Sequence, residues 1–546
     1  MLSFIVKRAD NGSYYITSEL HADRGIQWLG SRCDFLSSAT ELVDQAVKEC
    51  EDEPLSLSLL QALVLTTHGL LIRGVRGRAW RHLGLCVRSA YELNLHLVDS
   101  GKAPDQSRAN PVQWCKDEER RRAWWAIWEM DVFASVIRRC PAAIDWSQNE
   151  TFLPAEDKKW FCGEPQQSCL LETSLVTRWR ALEASCSQSS KAWFIVINSL
   201  MKEAQKISSP TAINKAPNHK TNETPSRSPR LVAKTDGQTQ YQPRTTDIGL
   251  TKEALDRLTT VQNCLHCVLT VLPKRLRYEH QYLCFGTRDD SPAGKVSKRL
   301  LHSSVYSIHL MAQLARLMMY KNYVFRVGMR WPPPSLASLS RGGPADDSDL
   351  PARVSNNLLP SKAETQALCQ YLEAADEVVA VVRRSSEDHH IYVNPFLANT
   401  IWIAGAAQLL RRELAPGEMN PETIQSSFEL LCLTYRRFTD YWSMSNVPQK
   451  NLETLEIELE RLRANSNQSS NRDNHLNANS TVKTSSDGTI QPSLANGHRV
   501  ESHRIWNAPA KPSQPSQHGK FEYFLIVVRN QSLLLTYHRF NGFVFR

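Results

Sequence analysis

The chain has 546 residues, 41% of them hydrophobic, and a formal net charge of +9 at neutral pH. That length and apolar content can fill a large core built from two or more helical subdomains, which excludes a small disulfide-stapled scaffold. A basic excess this mild suits a nucleic-acid-associated protein and an ordinary soluble one alike, so charge alone chooses no partner.

The apolar run within Met1 to Arg8 is too short for a signal peptide, and no stretch reaches the roughly 18 apolar residues of a membrane span. The thirteen cysteines are scattered singly, an odd number without a framework spacing. Reduced thiols and an intracellular, soluble protein without a membrane partner are therefore expected. Residues 1–35 are poorly patterned. From Ser38 a capping-box pattern with Glu41 opens an amphipathic helix whose face is Ala39, Leu42, Val43, Ala46, Val47 and Cys50. Pro54 suits the first turn of the next helix, Leu55 to Thr67, which is apolar nearly all round and so belongs in the core. Gly74 and Gly77 separate it from a third helix, in which Trp80, Leu83, Gly84, Val87, Tyr91 and Leu95 share a face. There Gly84 would let a neighbouring backbone approach, and Asn94 would take the left-handed stop.

The stretch from Asp117 to Asp131 follows, and it organises the rest. Its acids oppose the positive end of a helix dipole, so the helix is predicted to start at Asp117. Trp124, Ile127, Trp128, Asp131 and Ser135 recur on one face, which predicts that this face is buried and carries a carboxylate. A buried carboxylate needs a donor or a cation. Arg120 and Arg121 are about three turns away along the axis, which leaves Arg88, at the edge of the preceding helix, as the expected partner of Asp131. Pro141 would end the helix. Further on, Leu255, Leu258, Val261, Leu265, Val268 and Leu272 form another stripe, and Leu452, Leu455, Leu459 and Leu462 a short seam. Two heptads fall short of a coiled coil, so that seam should pack on the body of the protein and is not expected to dimerise it.

These patterns predict an all-α multi-helix bundle interrupted by long disordered insertions. Residues 36–206 form a first helical half and 250–464 a second. Residues 207–249 and 465–520 read as disordered because Ser, Thr, Pro, Asn and Lys dominate them. Another Pro- and Gly-containing loop spans 331–362, and residues 521–546 form an apolar tail of unknown role. Ser228-Pro229-Arg230 is a candidate for proline-directed phosphorylation.

The order QALVL, GRAWRHLGLCVRSAYELNLH, EERRRAWWAIWEMD, CPAAI and LPAEDKKW resembles the fungal transcription factor regulatory domain. This is the middle homology region found downstream of binuclear zinc-cluster DNA-binding domains. The resemblance is dense over about residues 38–165, and 307–320, 394–410 and 433–442 fit its looser helical half. It singles out Arg88, Arg120, Arg121, Arg122, Trp124, Trp125, Asp131 and Pro141 as structural motif residues. Family members commonly carry glycine where this chain has Asn94 and Arg139, and the second exchange suggests a different local turn.

The resemblance implies a nuclear transcription regulator that meets DNA through zinc, yet no Cys-x2-Cys-x6-Cys spacing occurs in the chain. Zinc is therefore expected only if a cysteine cluster lies upstream, and DNA contact only through such a missing cluster or a partner's. Transcriptional co-regulators, a second copy and a small-molecule effector are the remaining expected partners. Cys264, His266 and Cys267, and the pair His389 and His390, are better read as packing and loop residues than as metal ligands. No phosphate loop, nucleophile elbow or His-Glu-x-x-His helix is present, which argues against an enzyme and leaves no catalytic, cofactor-binding or metal residue to name. The alternative is an all-helical ligand-binding protein or enzyme that shares only the fold. A basic patch from Arg73, Arg76, Arg78, Arg81 and Arg120 to Arg122 would bind nucleic acid with a steep salt dependence, although these arginines can equally fork onto nearby carboxylates.

Overall fold

A computed structural model describes residues 32–208, 252–286, 292–329, 362–414 and 420–461. In chain order the first half comprises α1 (Arg32–Glu49), α2 (Leu57–Arg73), α3 (Gly77–Glu92), α4 (Pro111–Arg138), α5 (Asp157–Cys162), α6 (Leu175–Ala184) and α7 (Ser190–Ile207). The second comprises α8 (Lys252–Val271), α9 (Pro292–Met329), α10 (Lys362–Arg383), α11 (His389–Tyr392), α12 (Ala398–Leu414), α13 (Pro421–Trp442) and a last helix, α14, over 447–461. Among the described residues there is no strand, only one bridge between Leu283 and Ser385. The all-α expectation holds for them. The segments expected to be disordered, the tail 521–546 and Ser228 lie outside the described residues, apart from Ile207 and Ser208, which belong to the end of α7 and its cap.

Capping chemistry decides where the helices start. Ser56 accepts from the Leu59 amide ahead of α2, Ser189 from Ala192 ahead of α7, and Asn420 from Glu422 ahead of α13. The central helix α4 begins at Pro111, not at Asp117. Asn110 caps it by accepting from Val112 and Gln113, and Pro111, which has no amide to satisfy, fills the first helical position. Pro54, by contrast, stays outside α2, which begins after its cap Ser56.

The predicted capping box at Ser38 is absent, because α1 already begins at Arg32 and Ser38 lies inside it. Thr40 and Val43 face inward while Leu42 is 68% exposed, so Leu42 does not belong to the buried face. Gly84 is exposed with no neighbouring atom within 4 Å of a Cβ built on it, so no backbone approaches there. Asn94 does adopt the left-handed conformation, φ 52°. Arg139 adopts it as well, φ 53°. The turn after α4 thus takes the left-handed conformation without glycine, and Pro141 follows a helix already ended.

Both halves share one continuous core. Trp124, Trp125 and Trp128 on α4 and Trp193 on α7 are each at most 1% exposed. Each removes on the order of 150 Å² or more from water, about 4 kcal/mol before the entropy of ordering is counted. Helix α9 packs along α7 on one side and α10 on the other, and α12 lies between α10 and α13. The leucine seam of α14 turns inward: Leu452, Leu455 and Leu459 are buried in that same core.

Candidate functional site: a buried ion network and an apolar cavity

The charged start of the organising stretch faces inward. Glu118 lies one helical turn before Arg121 and Arg122 on α4, and none of the three is more than 4% exposed. Arg121 donates to Asp99 at 2.6 and 2.8 Å, to Gln106 at 2.8 Å and to Glu118 at 3.3 Å. Arg122 donates to Glu118 at 2.9 Å, Asp157 at 2.6 Å and the Ala155 carbonyl at 2.9 Å, with its guanidinium 4.1 Å from the Trp160 ring centre. Asp99 and Glu118 in turn accept from the backbone amides of Phe152 and Ala155. Burial opposes the charge of Arg121, but the hydrogen bonds and charges of Asp99 and Glu118 outweigh it and hold its pKa above the ordinary value. This network fixes the extended segment 149–156 against α4. Its guanidiniums are committed to internal acceptors, so Arg121 and Arg122 cannot complete a basic surface patch with Arg76, Arg78 and Arg81.

Three further motif residues also make contacts within the protein. Arg120 donates to the Leu93 carbonyl at 3.0 Å, Trp125 donates to Phe152 at 2.7 Å, and Trp124 meets Tyr91 edge-on at 5.5 Å. Asp131 is 1% exposed, as its spacing predicts. Its expected pairing with Arg88 is not found, because Arg88 is exposed at the surface. The carboxylate instead accepts from the backbone amides of Ala143 at 3.1 Å and Ile144 at 2.9 Å. Burial raises its pKa, and those two amides, with the charge of Lys202, offset part of the rise. Asp131 therefore ties down the turn after Arg139. Its loss would orphan the buried amide of Ile144 and free that of Ala143, and would leave no arginine unpaired. His389, expected in a loop, sits in α11 at 3% exposure among Phe285, Tyr306 and Phe438. Burial lowers its pKa to about 4. Cys264 is buried in the core stripe of α8, as its spacing suggests.

A cavity of about 150 Å³ lies where α4, α7, α9, α10 and α12 converge, and none of the eight motif residues lines it. Its wall is mostly apolar and aromatic, with Phe133, Met201, Leu314, Tyr371, Phe396 and Trp402 among the lining residues. Polar groups stand out against that wall. Glu129 is 4% exposed, accepts from Lys191 at 3.0 Å and from Asn394 at 2.6 Å, and so joins α4 to α7 and to the turn before α12. Beside it, Phe133 and Phe396 stack at 3.8 Å. Asn198 is 2% exposed and its Oδ1 has no partner among the described residues. Lys321 is half-buried, and its Nζ meets the Met318 Sδ at 3.7 Å. A mostly apolar cleft with a few placed polar groups is the usual form of a small-molecule site. Its residues come from five helices far apart in sequence, and that is why periodicity along any one helix does not reveal it. Glu129, two positions before Asp131 on a helix buried all round, is the one local signal.

Among the described residues, no group of three or more His, Cys, Asp or Glu side chains is placed to hold a metal ion, so they build no zinc cluster. No described helix is long and apolar enough to cross a membrane.

The described residues thus form an all-helical body organised on a long aromatic helix, with an internal ion network and a cavity lined by helices of both halves. Residues 21–259 match the fungal specific transcription factor domain. The chain is 27% identical over 127 residues to a tropolone cluster transcription factor of Talaromyces stipitatus, covering 23% of this chain and 22% of the relative. It is 26% identical over 123 residues to a citrinin biosynthesis transcriptional activator of Monascus ruber, 22% and 24% of the two chains. A pigment biosynthesis transcriptional activator of the same organism is 24% identical over 98 residues, 18% of each. Each alignment thus covers less than a quarter of the relative's length. No solved structure matches the chain.

Proposed function

We propose that this chain is a fungal transcription regulator acting in the nucleus on genes of a biosynthetic pathway. The observation that carries this reading is the domain match over residues 21–259. The names of the relatives, activators of citrinin and pigment biosynthesis and a tropolone cluster factor, supply the class of target. The described residues are not an enzyme's catalytic apparatus in this reading. They are a body that receives a signal and transmits it to transcriptional co-regulators. DNA contact comes from a zinc cluster joined to this domain or carried by a partner regulator. The cavity between the halves is the place for a small-molecule effector, whose binding would shift the balance between two packings of those halves.

The cavity also favours a second reading, a ligand-binding protein without DNA contact. A reporter assay separates the two. The full chain, fused to an unrelated DNA-binding domain in a fungal reporter strain, should change reporter output relative to the DNA-binding domain alone. A folded, nuclear fusion that leaves the reporter unmoved overturns the regulatory reading and favours the second.

A further inference from the structure

The cavity has two chemically different ends. Glu129 and Asn394 meet at one, with the stacked pair Phe133 and Phe396 beside them. Lys321 and Met318 mark the other, where the charge of Arg139 reaches Lys321. Glu129 and Arg139 both line the cavity and are ten positions apart on α4 and its cap, which places them roughly 15 Å apart along the axis. Ser304 bonds to Ser190 and Ser208 to the Met318 carbonyl, so α7 and α9 run in the same direction along the cavity.

The acid end is already satisfied, since Glu129 has both Lys191 and Asn394. Lys321, at the other end, has no such partner among the described residues. The hydrogen-bond contact of Lys321 among the described residues is a thioether, a weak acceptor, and its charged neighbour is another cation. A half-buried ammonium in that position is costly without an anion. Burial, reinforced by Arg139, lowers its pKa to about 7. The wall between the ends combines rings with the soft side chains of Met201, Met311 and Met318, a lining that favours a flat aromatic body through sulfur and edge contacts. An apolar cavity of this size holds a benzene ring, and flexible methionines can give way to a second.

We propose that this cavity is the effector site and that its ligand is a small aromatic acid, a carboxylate or acidic phenol, whose anionic oxygen pairs with Lys321. Its rings lie against Phe133, Met311 and Trp402, and a hydroxyl or N–H donor at its other end meets the orphaned Asn198 Oδ1. This inference rests on the effector-gated reading above and names the chemistry of the effector.

The probe is 6-hydroxy-2-naphthoate, which carries an acid and a hydroxyl at opposite ends, titrated calorimetrically into the full chain. Saturable binding is expected, with the neutral 6-hydroxy-2-naphthamide weaker by roughly tenfold or more. Lys321→Met should bring the acid down to the affinity of the amide while leaving amide binding unchanged, and Lys321→Arg should retain the preference. Asn198→Leu should reduce the hydroxy acid to the affinity of 2-naphthoate. In buffers of different ionisation enthalpy near neutral pH, acid binding should take up protons, because an anion beside Lys321 raises its proton affinity. The other ionisable groups lining the cavity are Arg139 at the cap of α4, Tyr371 of α10 and the distant Glu129 of α4. Equal affinity for acid and amide, or a Lys321→Met variant that still prefers the acid, overturns the proposal. So does absence of binding by either probe. In that last case a reporter still driven by the fusion shows that the regulatory reading survives without this ligand.

Discussion

Arg121 satisfies Asp99, Gln106 and Glu118 at once inside the protein. Burying these charges costs more than it returns relative to a well-packed apolar cluster, but removing one partner leaves the others desolvated and unpaired. Arg121→Ala should therefore destabilise the chain by about 3–5 kcal/mol, read as a fall in the urea midpoint at unchanged slope. The double variant Arg121→Met with Asp99→Asn should lose less than the two single losses added together, because neither charge is then orphaned. Strict additivity would show that the pair is not coupled. Asp131 obeys the same rule with different partners. Its burial was legible from the spacing of Trp124, Ile127 and Trp128. Its partners were not, because they are backbone amides, which every residue carries and no side-chain pattern marks.

At the level of elements, Glu129 joins α4 to α7 through Lys191 and to the turn before α12 through Asn394. Burial alone would raise its pKa, but nearby positive charge, that of Lys191 foremost, together with the Lys191 hydrogen bond, holds it below the ordinary 4.5. The ionised form is favoured in the fold. Its stabilisation is complete above the unfolded value near 4.5 and is lost as pH falls through the lower folded value. Glu129→Gln should lower the urea midpoint at neutral pH and flatten the loss of stability on acidification below about 4.5. An unchanged acid limb would assign that loss to other carboxylates.

The same helix shows how far sequence reasoning reaches. That α4 is central and aromatic was plain from its tryptophans. Its start lies six residues before Asp117, although Asp117 and Glu118 look like first-turn acids serving the dipole. In fact Glu118 serves Arg121 and Arg122, and Asp117 accepts from Lys102 at 2.8 Å. The competing signal, Asn110-Pro111, was present and is the stronger one, since proline at the first position and asparagine before it together satisfy the helix end.

For the molecule as a whole, the division of the sequence into 36–206 and 250–464 marks a break in composition and not a break in the core. Helix α7 from the first half packs more extensively on α9 from the second than on any helix of its own half. Ile195, Ile197 and Leu200 of α7 and Ile308, Leu310 and Ala312 of α9 are each at most 1% exposed. Separating the halves would expose both faces to water, at about 25 cal/mol for each Å² of apolar surface. Residues 32–208 and 252–461, produced as two separate chains in one cell, should therefore co-purify and melt in a single transition. Either chain alone should aggregate or bind a hydrophobic dye, because it presents an apolar helix face with no partner. Two independent transitions for the co-purified pair would mean that each half carries its own core. The cavity would then be a cleft between domains and not a chamber within one body. The two outcomes bear directly on signalling. In one body, an effector must shift a cooperatively packed interior, whereas between two domains it need only change how they meet.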